Sequence, residues 1–298
     1  MTAIELVTAD GDLLRVDHDH EADLFWALRG GGGNFGVVTA LEFELFPLGR
    51  VYAGAMFWPV EHASEVLHTW NELLPSMPEE VTSVGRILSV PPLEEVPEPL
   101  RGRSFVIVEA AFLGDEADGR SLLAPLRELG PEIDTFAMVP PAALSHLHMD
   151  PEDPMPFASG HKLLEALPAA GIDALIEAAG PGSGSALLGV ELRHTGGALG
   201  RRGPGHGANA SMPGELCMFS GGLVMSPESA AAIDASHQRL HGAMAPWFAG
   251  LYANFVEEPA DTADFFDGAT FDRLREIRTA VDPDGLFVAN HPIPHADS

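Results

Sequence analysis

The chain has 298 residues, of which 46% are hydrophobic and 20% are charged, and its formal net charge at pH 7 is −28. This composition is ordinary for a folded globular protein, but so anionic a surface repels nucleic-acid phosphates and acidic lipid. We therefore expect neither nucleic acid nor a membrane as a partner. The single cysteine, Cys217, excludes an internal disulfide framework and favours a cytoplasmic location.

The N-terminal residues predict a hairpin and no targeting segment. Two short aliphatic runs flank Asp10-Gly11, a pair typical of hairpin turns, so we expect the chain to begin within a hairpin whose preceding element lies upstream. No basic segment followed by an apolar one is present there, and no run of about eighteen uncharged apolar residues occurs. We expect no export signal and no membrane span.

Hydrophobic periodicity predicts alternating helices and strands along the rest of the chain. Strands that are repeatedly separated by helices favour the α+β class with a mostly antiparallel sheet flanked by helices, and leave a parallel α/β sheet as the alternative. Thr270 is the expected N-cap of the last helix, and residues 37–48 are expected to form a strand with one apolar face. The predicted helices are 21–29, 61–74, 116–130, 228–247 and 270–285, and the predicted strands are 37–48, 51–59, 104–114, 186–194, 215–225 and 251–258.

The glycine run "RGGGGNFG" at residues 29–36 contains Gly31, Gly33 and Gly36 in the G-x-G-x-x-G spacing of dinucleotide-binding loops. In those loops the glycines follow a strand and open a helix, whose N-terminus binds the pyrophosphate. Here a predicted helix leads into the glycines and a predicted strand follows them, so the order is reversed and the motif is rejected. So many glycines still indicate a close approach of the backbone to something else.

Both ends of the chain resemble one flavoprotein family. The segment "DLFWALRGGGGNFGVVTALEFELFPL" (23–48) resembles the end of the FAD domain of berberine-bridge-enzyme-like oxidases, which belong to the vanillyl-alcohol-oxidase, or PCMH-type, superfamily. The segments "LYANFVEE" (251–258) and "DRLREIRTAVDPDGLFVANHPI" (272–293) resemble the C-terminal signature of that family. The resemblance implies a remnant of the FAD-binding domain at 1–50, a substrate-binding domain at 51–250, and a C-terminal segment at 251–298 that returns to the FAD lobe.

The resemblance also implies FAD as the cofactor and a set of contacts to it. Backbone groups of the glycine turn and of the strand after it would approach the adenine side, and the Y-x-N motif would lie near the flavin ring beneath the antiparallel sheet of the substrate domain. The residues implied are Gly33, Asn34, Gly36, Val37, Val38, Tyr252 and Asn254.

Two features of the family pattern are missing from this sequence. The upstream lobe, with its phosphate loop and its flavin-tethering His and Cys, has no counterpart. Many members place a Tyr base where this chain has Phe255. Others place a Glu shortly after a Gly-Gly pair, which is here Gly196-Gly197, and in this chain no Glu follows that pair closely. Groups that could replace the base are His194, His206 and Tyr252, with Glu191 as a further candidate.

The resemblance predicts an FAD-dependent oxidoreductase that oxidises a small, fairly hydrophobic alcohol or amine by hydride transfer, with oxygen as the acceptor. The alternative is a truncated, flavin-free or partner-dependent remnant, with a homodimer or a separate FAD lobe as the partner. Flavin-independent chemistry at His194 or His206 is a third possibility. The pocket lining is expected from 139–160 and 194–214.

Metal-ligand residue types cluster in the Pro-rich segment of the chain. Their i, i+2 spacing in a loop, without a distant fourth ligand, predicts no metal site. The residues concerned are His146, His148, Asp150 and Glu152.

Overall fold

The computed structural model describes residues 1–92, Glu94, 98–150 and 153–296. The chain divides into two compact units. Unit 1 consists of Met1–Pro47, Leu199–Met212 and Gly250–Ser298, and unit 2 consists of Leu48–Ala198 and Pro213–Ala249.

The described residues form seven α-helices and twelve strands. The helices are α1 (Ala22–Leu28), α2 (Ala63–Leu73), α3 (Glu116–Leu122), α4 (Ala124–Glu128), α5 (Ala169–Ala179), α6 (Pro227–Met244) and α7 (Gly268–Val281). The strands are β1 (Ala3–Val7), β2 (Leu13–Asp17), β3 (Val37–Glu42), β4 (Val51–Pro59), β5 (Val81–Ser89), β6 (Ser104–Phe112), β7 (Ile133–Asp134), β8 (Ala137–Val139), β9 (Phe157–Leu164), β10 (Gly189–His194), β11 (Leu216–Leu223) and β12 (Phe248–Gly250).

Unit 1 is built on a three-stranded antiparallel sheet in the order β2-β1-β3. The predicted hairpin is confirmed, with Ile4 opposite Val16 and the turn at Gly11 in the left-handed region at φ +84°. Helices α1 and α7 pack against each other and contribute Phe25 and Leu274 to a small apolar core. That core ties the two ends of the chain together.

The strand after the glycine run is exposed along its whole length. The sequence predicts a strand with one apolar face over 37–48; the observed strand ends at Glu42, and every residue of β3 is exposed. The side chain of Val37 is 59% exposed and that of Phe46 is 83% exposed. β3 lies at the edge of the sheet, and its apolar side chains are exposed to solvent.

Unit 2 is built on a nine-stranded sheet in the order β12-β9-β11-β10-β5-β6-β4-β7, with β8 also paired to β4. The pairs that link β9 through to β7 and β8 are antiparallel. Helices α2, α5 and α6 pack together and cover one face, where Trp58, Trp70 and Met218 lie in the main core. This helix-covered face and the opposite face, which we call the site face, receive alternate residues of each strand.

Several local predictions are wrong in informative ways. Residues 251–258 form no strand, since the short turn Ala253–Phe255 follows β12 instead. The N-cap of α7 is Asp267 rather than Thr270, because the Asp267 carboxylate accepts the Thr270 backbone N–H at 2.8 Å. Strands β5 and β9 and helix α5 were not predicted.

Residues 199–212 were assigned to the substrate domain by sequence, yet they group with unit 1. Hydrogen bonds to Trp26 and Arg29 of unit 1 explain this grouping. The Ala208 N–H donates to Trp26 O at 3.0 Å, and the Arg29 guanidinium donates to the carbonyls of Gly205 and His206. The functional roles assigned to the predicted domains remain predictions.

The predicted α+β class with a mostly antiparallel sheet is confirmed. Among the described residues, no helix is both long enough and apolar enough to cross a membrane.

Candidate functional site

A cavity of about 540 Å³ opens on the site face of the unit 2 sheet. Strands β5, β10 and β11 form its floor, and part of the Pro-rich segment before β9 forms a wall. The lining is mainly apolar, with a few charged side chains, which is typical of small-molecule sites. The charged lining residues are Arg86, His148, Asp150, Asp153, Glu191 and Arg193.

A network of charged side chains lies at the floor of this cavity. Glu191 and Arg86 are register partners on β10 and β5, and Glu109 projects from β6 to the same face. Arg86 Nη2 lies 2.5 Å from Glu109 Oε1, and both side chains are buried. Because a buried charge without a partner is costly, such side chains in the middle of apolar strands mark a built feature of the fold.

His148 joins this network from the Pro-rich segment. Its Nδ1 lies 2.7 Å from Glu109 Oε2, and its Nε2 lies 2.8 Å from Glu191 Oε2. A carboxylate oxygen beside each ring nitrogen favours a proton on both nitrogens, that is, the imidazolium form of the ring, although Arg86 Nη1 also lies 3.4 Å from Nε2. The geometry therefore assigns a positive charge to His148.

The pKa shifts agree with this assignment. Burial alone would lower the pKa of His148, but its hydrogen bonds to Glu109 and Glu191 raise the pKa to about 9. Burial alone would raise the pKa of Glu191, but the hydrogen bond from His148 and the charge of Arg193 hold the pKa below its ordinary value. Arg193 Nε and Nη2 both contact Glu191 Oε1, at 2.7 and 2.6 Å. Glu191 is thus ionised at neutral pH.

The chain is locally strained where it delivers His148 to the network. Met149 has φ +57°, a left-handed conformation that is uncommon for a residue other than glycine. Such strain costs about 1–3 kcal/mol and persists only where the surroundings enforce it. His148, the residue before Met149, is held by its two carboxylate contacts.

Unit 1 contains a separate cavity of about 330 Å³ beside the glycine run. Its lining combines Gly30–Gly33 with Asn254 and His291 from the C-terminal region. The Tyr252 hydroxyl accepts a hydrogen bond from Asn254 Nδ2 at 2.8 Å. The structure thus brings together the glycines and the Y-x-N motif, which are more than two hundred residues apart in sequence.

The glycines of the run differ in what surrounds them. A Cβ on Gly31 would lie 2.5 Å from Phe35 Cε2, and a Cβ on Gly36 would lie 2.5 Å from Leu6 Cδ1. A Cβ on Gly33 would meet nothing closer than Ala289 Cβ at 4.0 Å. Gly31 and Gly36 therefore permit close packing within unit 1, whereas Gly33 borders open space at the cavity.

Asn34 is fully engaged within unit 1. Its Oδ1 accepts hydrogen bonds from Arg278 and from the Ile293 backbone, and its Nδ2 donates to the carbonyls of Gly31 and His291. This buried amide fastens the glycine run to the C-terminal segment. A role of Asn34 in cofactor binding, which stays a prediction, would have to use its backbone.

The histidines that were predicted as bases lie away from the cavity of unit 2. Side chains of β10 alternate between the two faces of the sheet, so His194 lies on the helix-covered face together with Leu192. Burial lowers the pKa of His194, and the charge of Glu215 opposes this shift. His206 lies in unit 1, with its Nδ1 2.8 Å from the carbonyl of Gly207. Of the predicted candidates, Glu191 lines the unit 2 cavity and Tyr252 adjoins the unit 1 cavity through Asn254.

No metal-ligating group of three or more His, Cys, Asp or Glu residues occurs within the described parts of the chain. His148 is held by two glutamates, and Glu152 lies outside the described residues. Sequence reasoning missed Arg86, Glu109 and Arg193. The available signal was a charged residue inside an apolar strand, as in "SFVIVEAAF", because such residues are rarely buried without a partner.

Known proteins resemble the chain over most of its length. The family model described as "Berberine and berberine like" matches residues 251–294. The chain is 27% identical to the uncharacterised FAD-linked oxidoreductase YvdP of Bacillus subtilis strain 168, over 99% of this chain and 65% of that protein. It is 29% identical to (R)-6-hydroxynicotine oxidase of Paenarthrobacter nicotinovorans, over 97% of this chain and 64% of that protein.

Solved structures share the fold. A chitooligosaccharide oxidase superposes with a TM-score of 0.77 at 21% identity, over 99% of this chain and 66% of that one. The chain thus spans about 65% of the length of the curated relatives that it matches. On these matches and on the segments at both of its ends, the chain is similar to the berberine-bridge-enzyme-like FAD-linked oxidoreductases.

Proposed function

We propose that the chain works as part of an FAD-linked oxidoreductase that oxidises a small, fairly hydrophobic alcohol or amine, with oxygen as the final acceptor. The observation that carries this proposal is the match of 97–99% of the chain to relatives named as FAD-linked oxidoreductases or as an oxidase. FAD would supply the hydride acceptor, which no amino-acid side chain provides.

The residues of unit 1 fit a role in holding FAD. Gly33 leaves open space at a cavity lined by Asn254, and the backbone of Val37 and Val38 lies on an exposed strand. Gly33, Asn34, Gly36, Val37 and Val38 would approach the adenine side through backbone groups. Tyr252 and Asn254 would lie near the ring, as the family resemblance implies.

The residues of unit 2 fit a role in binding the substrate and accepting its proton. Oxidation of an alcohol removes a hydride from carbon and a proton from oxygen. Glu191 is ionised and lines the cavity, so it is the proton acceptor that the geometry favours among the candidates. His148 and Arg193 would hold the carboxylate in place, and the apolar walls would exclude water. His194, His206 and Tyr252 remain the other candidates.

A flavin titration tests this proposal. Purified protein with added FAD should show a bound-flavin absorbance band in the blue after removal of free cofactor, together with a higher melting temperature. A protein that retains no flavin and gains no thermal protection would contradict the proposal for this chain.

A second candidate function is a partner-dependent chain that lacks independent activity. The observation that favours it is the exposed apolar strip on β3 and just after it, because contiguous exposed apolar patches mark interaction sites. A homodimer or a separate FAD lobe is the partner proposed, and light scattering across a concentration series would detect the homodimer. The exposed residues are Val37, Val38, Leu41, Phe43, Leu45 and Phe46.

A further inference from the structure

Glu109 belongs to the charged network of unit 2 but does not line the cavity. It lies among apolar residues on β6, and only 3% of it is exposed. Replacing a buried ion pair with apolar residues is often neutral or even stabilising, so the fold alone does not require a charge at this position. The contacts of Glu109 therefore indicate what the charge does.

Glu109 and Arg86 together hold one residue of the Pro-rich segment, His148. Glu109 Oε2 lies 2.7 Å from His148 Nδ1, and Glu109 Oε1 lies 2.5 Å from Arg86 Nη2. Arg86 Nη2 also donates to the backbone carbonyl of His148 at 3.1 Å. His148 is thus fixed both by its ring and by its backbone, just before the left-handed conformation of Met149.

The fixed ring presents its other nitrogen to Glu191. His148 Nε2 lies 2.8 Å from Glu191 Oε2, while Arg193 contacts Glu191 Oε1. Glu191 lines the cavity and Glu109 does not. The imidazole of His148 therefore connects a buried carboxylate to the carboxylate that faces the cavity.

The charged groups that face His148 come from three strands and from its own segment. Glu109 on β6 and Glu191 on β10 favour the protonated ring. Arg86 on β5, whose Nη1 lies 3.4 Å from Nε2, opposes it, and Asp150 follows two residues along the chain. Burial also opposes the charged ring, so loss of either carboxylate should make His148 release its proton at a lower pH.

We propose that Glu109 is a positioning residue for the proton acceptor Glu191 and that it acts through His148. The Glu109 carboxylate orients the imidazole and keeps both ring nitrogens protonated across the neutral range of pH. The charged ring in turn holds Glu191 Oε2 in place. The inference rests on the proposed function, in which Glu191 takes the proton of the substrate.

Nuclear magnetic resonance titration of the protein without added FAD tests this role. The His148 ring is followed by its ¹⁵N signals and the Glu191 carboxyl by its ¹³C signal, which are assigned from their loss in His148→Gln and Glu191→Gln. Glu109→Gln should lower the pKa of His148 by about 1–3 from its wild-type value of about 9, because an opposite charge at this distance shifts a pKa by about that much.

The Glu191 signal reports whether the effect reaches the cavity. In the wild type it should change as His148 deprotonates, because the hydrogen bond to Oε2 then loses its charge. In Glu109→Gln the same change should move to lower pH together with the titration of His148. A Glu109 that merely supported the fold would not move these two titrations together.

A second variant and a control separate this role from stability. Glu109→Gln leaves the buried Arg86 without its carboxylate partner, whereas Glu109→Asp keeps the charge on a shorter side chain. Glu109→Asp should lower the pKa of His148 less than Glu109→Gln does. Glu132→Gln removes a glutamate that pairs with Arg103 at 2.6 Å away from the cavity lining, so both titrations should be unaltered.

An unchanged pKa of His148 in Glu109→Gln would overturn the inference, and if that variant does not fold, an unchanged pKa in Glu109→Asp would do so. A Glu191 signal that does not respond when His148 deprotonates would also overturn it. These titrations need neither FAD nor turnover, so failure of the flavin titration would leave them readable. Flavin binding without a change in either signal would sink this inference alone.

Discussion

The chemistry of unit 2 depends on a few side chains whose charges are set by their neighbours. Arg86, Glu109 and Glu191 are buried, and each of them contacts an oppositely charged group within 2.8 Å. Breaking one member of such a network leaves an uncompensated charge and costs about 3–5 kcal/mol. The network therefore responds strongly to single substitutions, and His148 is the member whose charge pH can change.

His148→Gln should remove a pH-dependent part of the stability. The folded-state pKa is about 9 and the ordinary value is 6.5, so the imidazolium stabilises the fold fully below about pH 6.5 and loses this effect as pH rises through 9. Urea unfolding at several pH values should show the wild-type advantage over the variant shrinking between those limits. His62→Gln, an exposed substitution, is the control. An advantage that is constant or grows with pH would contradict the assignment.

Glu191→Gln should lower kcat by about 10²–10⁴-fold on any alcohol or amine that the flavin-loaded protein oxidises, because an amide cannot accept the proton. The side chain keeps its size, so KM should change much less. Glu132→Gln, a substitution of a glutamate that does not line the cavity, should leave kcat unchanged. A kcat within twofold of wild type for Glu191→Gln would return the role of base to His194, His206 or Tyr252.

At the scale of elements, the sequence predicts which helices and strands exist better than it predicts where they end and which of their faces are buried. The hairpin at Gly11, the buried strand β6 and helices α2 and α6 follow from periodicity and turn residues that act locally. The exposure of β3 could not be predicted, because alternation shows which side chains share a face and not whether anything covers that face.

The same limit applies to the candidate site. The sequence points to Glu191 as a titratable residue near Gly196-Gly197, but the network around Glu191 also draws on three other segments of the chain: Arg86 on β5, Glu109 on β6 and His148 in the Pro-rich segment. The register between β5, β6 and β10 decides which charges meet, and register depends on tertiary packing. His148 was considered only as a metal ligand in a loop, because no local pattern shows that the loop crosses the site face.

Two substitutions test directly whether Asp267 or Thr270 caps the N-terminus of α7. Asp267→Ala should lower the free energy of unfolding by about 1 kcal/mol, because the carboxylate that accepts the Thr270 N–H is lost. Thr270→Ala should cost less, since the hydroxyl of Thr270 does not cap the helix. Chemical denaturation of both variants measures the difference. A larger loss for Thr270→Ala would restore the sequence-based assignment.

The glycine run gives a second matched pair. Gly31→Ala should destabilise the protein by about 1–3 kcal/mol, because the new Cβ would overlap Phe35 and the carbonyl of Ala27. Gly33→Ala should leave stability unchanged or raise it by up to about 1 kcal/mol, since its φ of −77° suits alanine and space is open. Thermal unfolding of the two variants checks this. Equal losses would show that the two glycines do not differ as described.

At the scale of the whole molecule, the segments that resemble the flavoprotein family and the charged cavity lie in different units. The glycine run and the C-terminal segment that resemble the family lie in unit 1, and the charged cavity lies in unit 2. The comparisons support the fold and a similarity to FAD-linked oxidoreductases, whereas the substrate and the base are proposals drawn from the cavity. The chain spans about 65% of the length of its relatives, so retention of FAD by this chain is the decisive property.

Flavin retention should therefore be measured directly, by absorbance after FAD is added to the purified protein and free cofactor is removed by gel filtration. A flavin band should elute with the protein, and the melting temperature should rise with FAD concentration. Elution of all flavin with the small molecules, and a melting temperature unchanged at saturating FAD, would contradict that prediction.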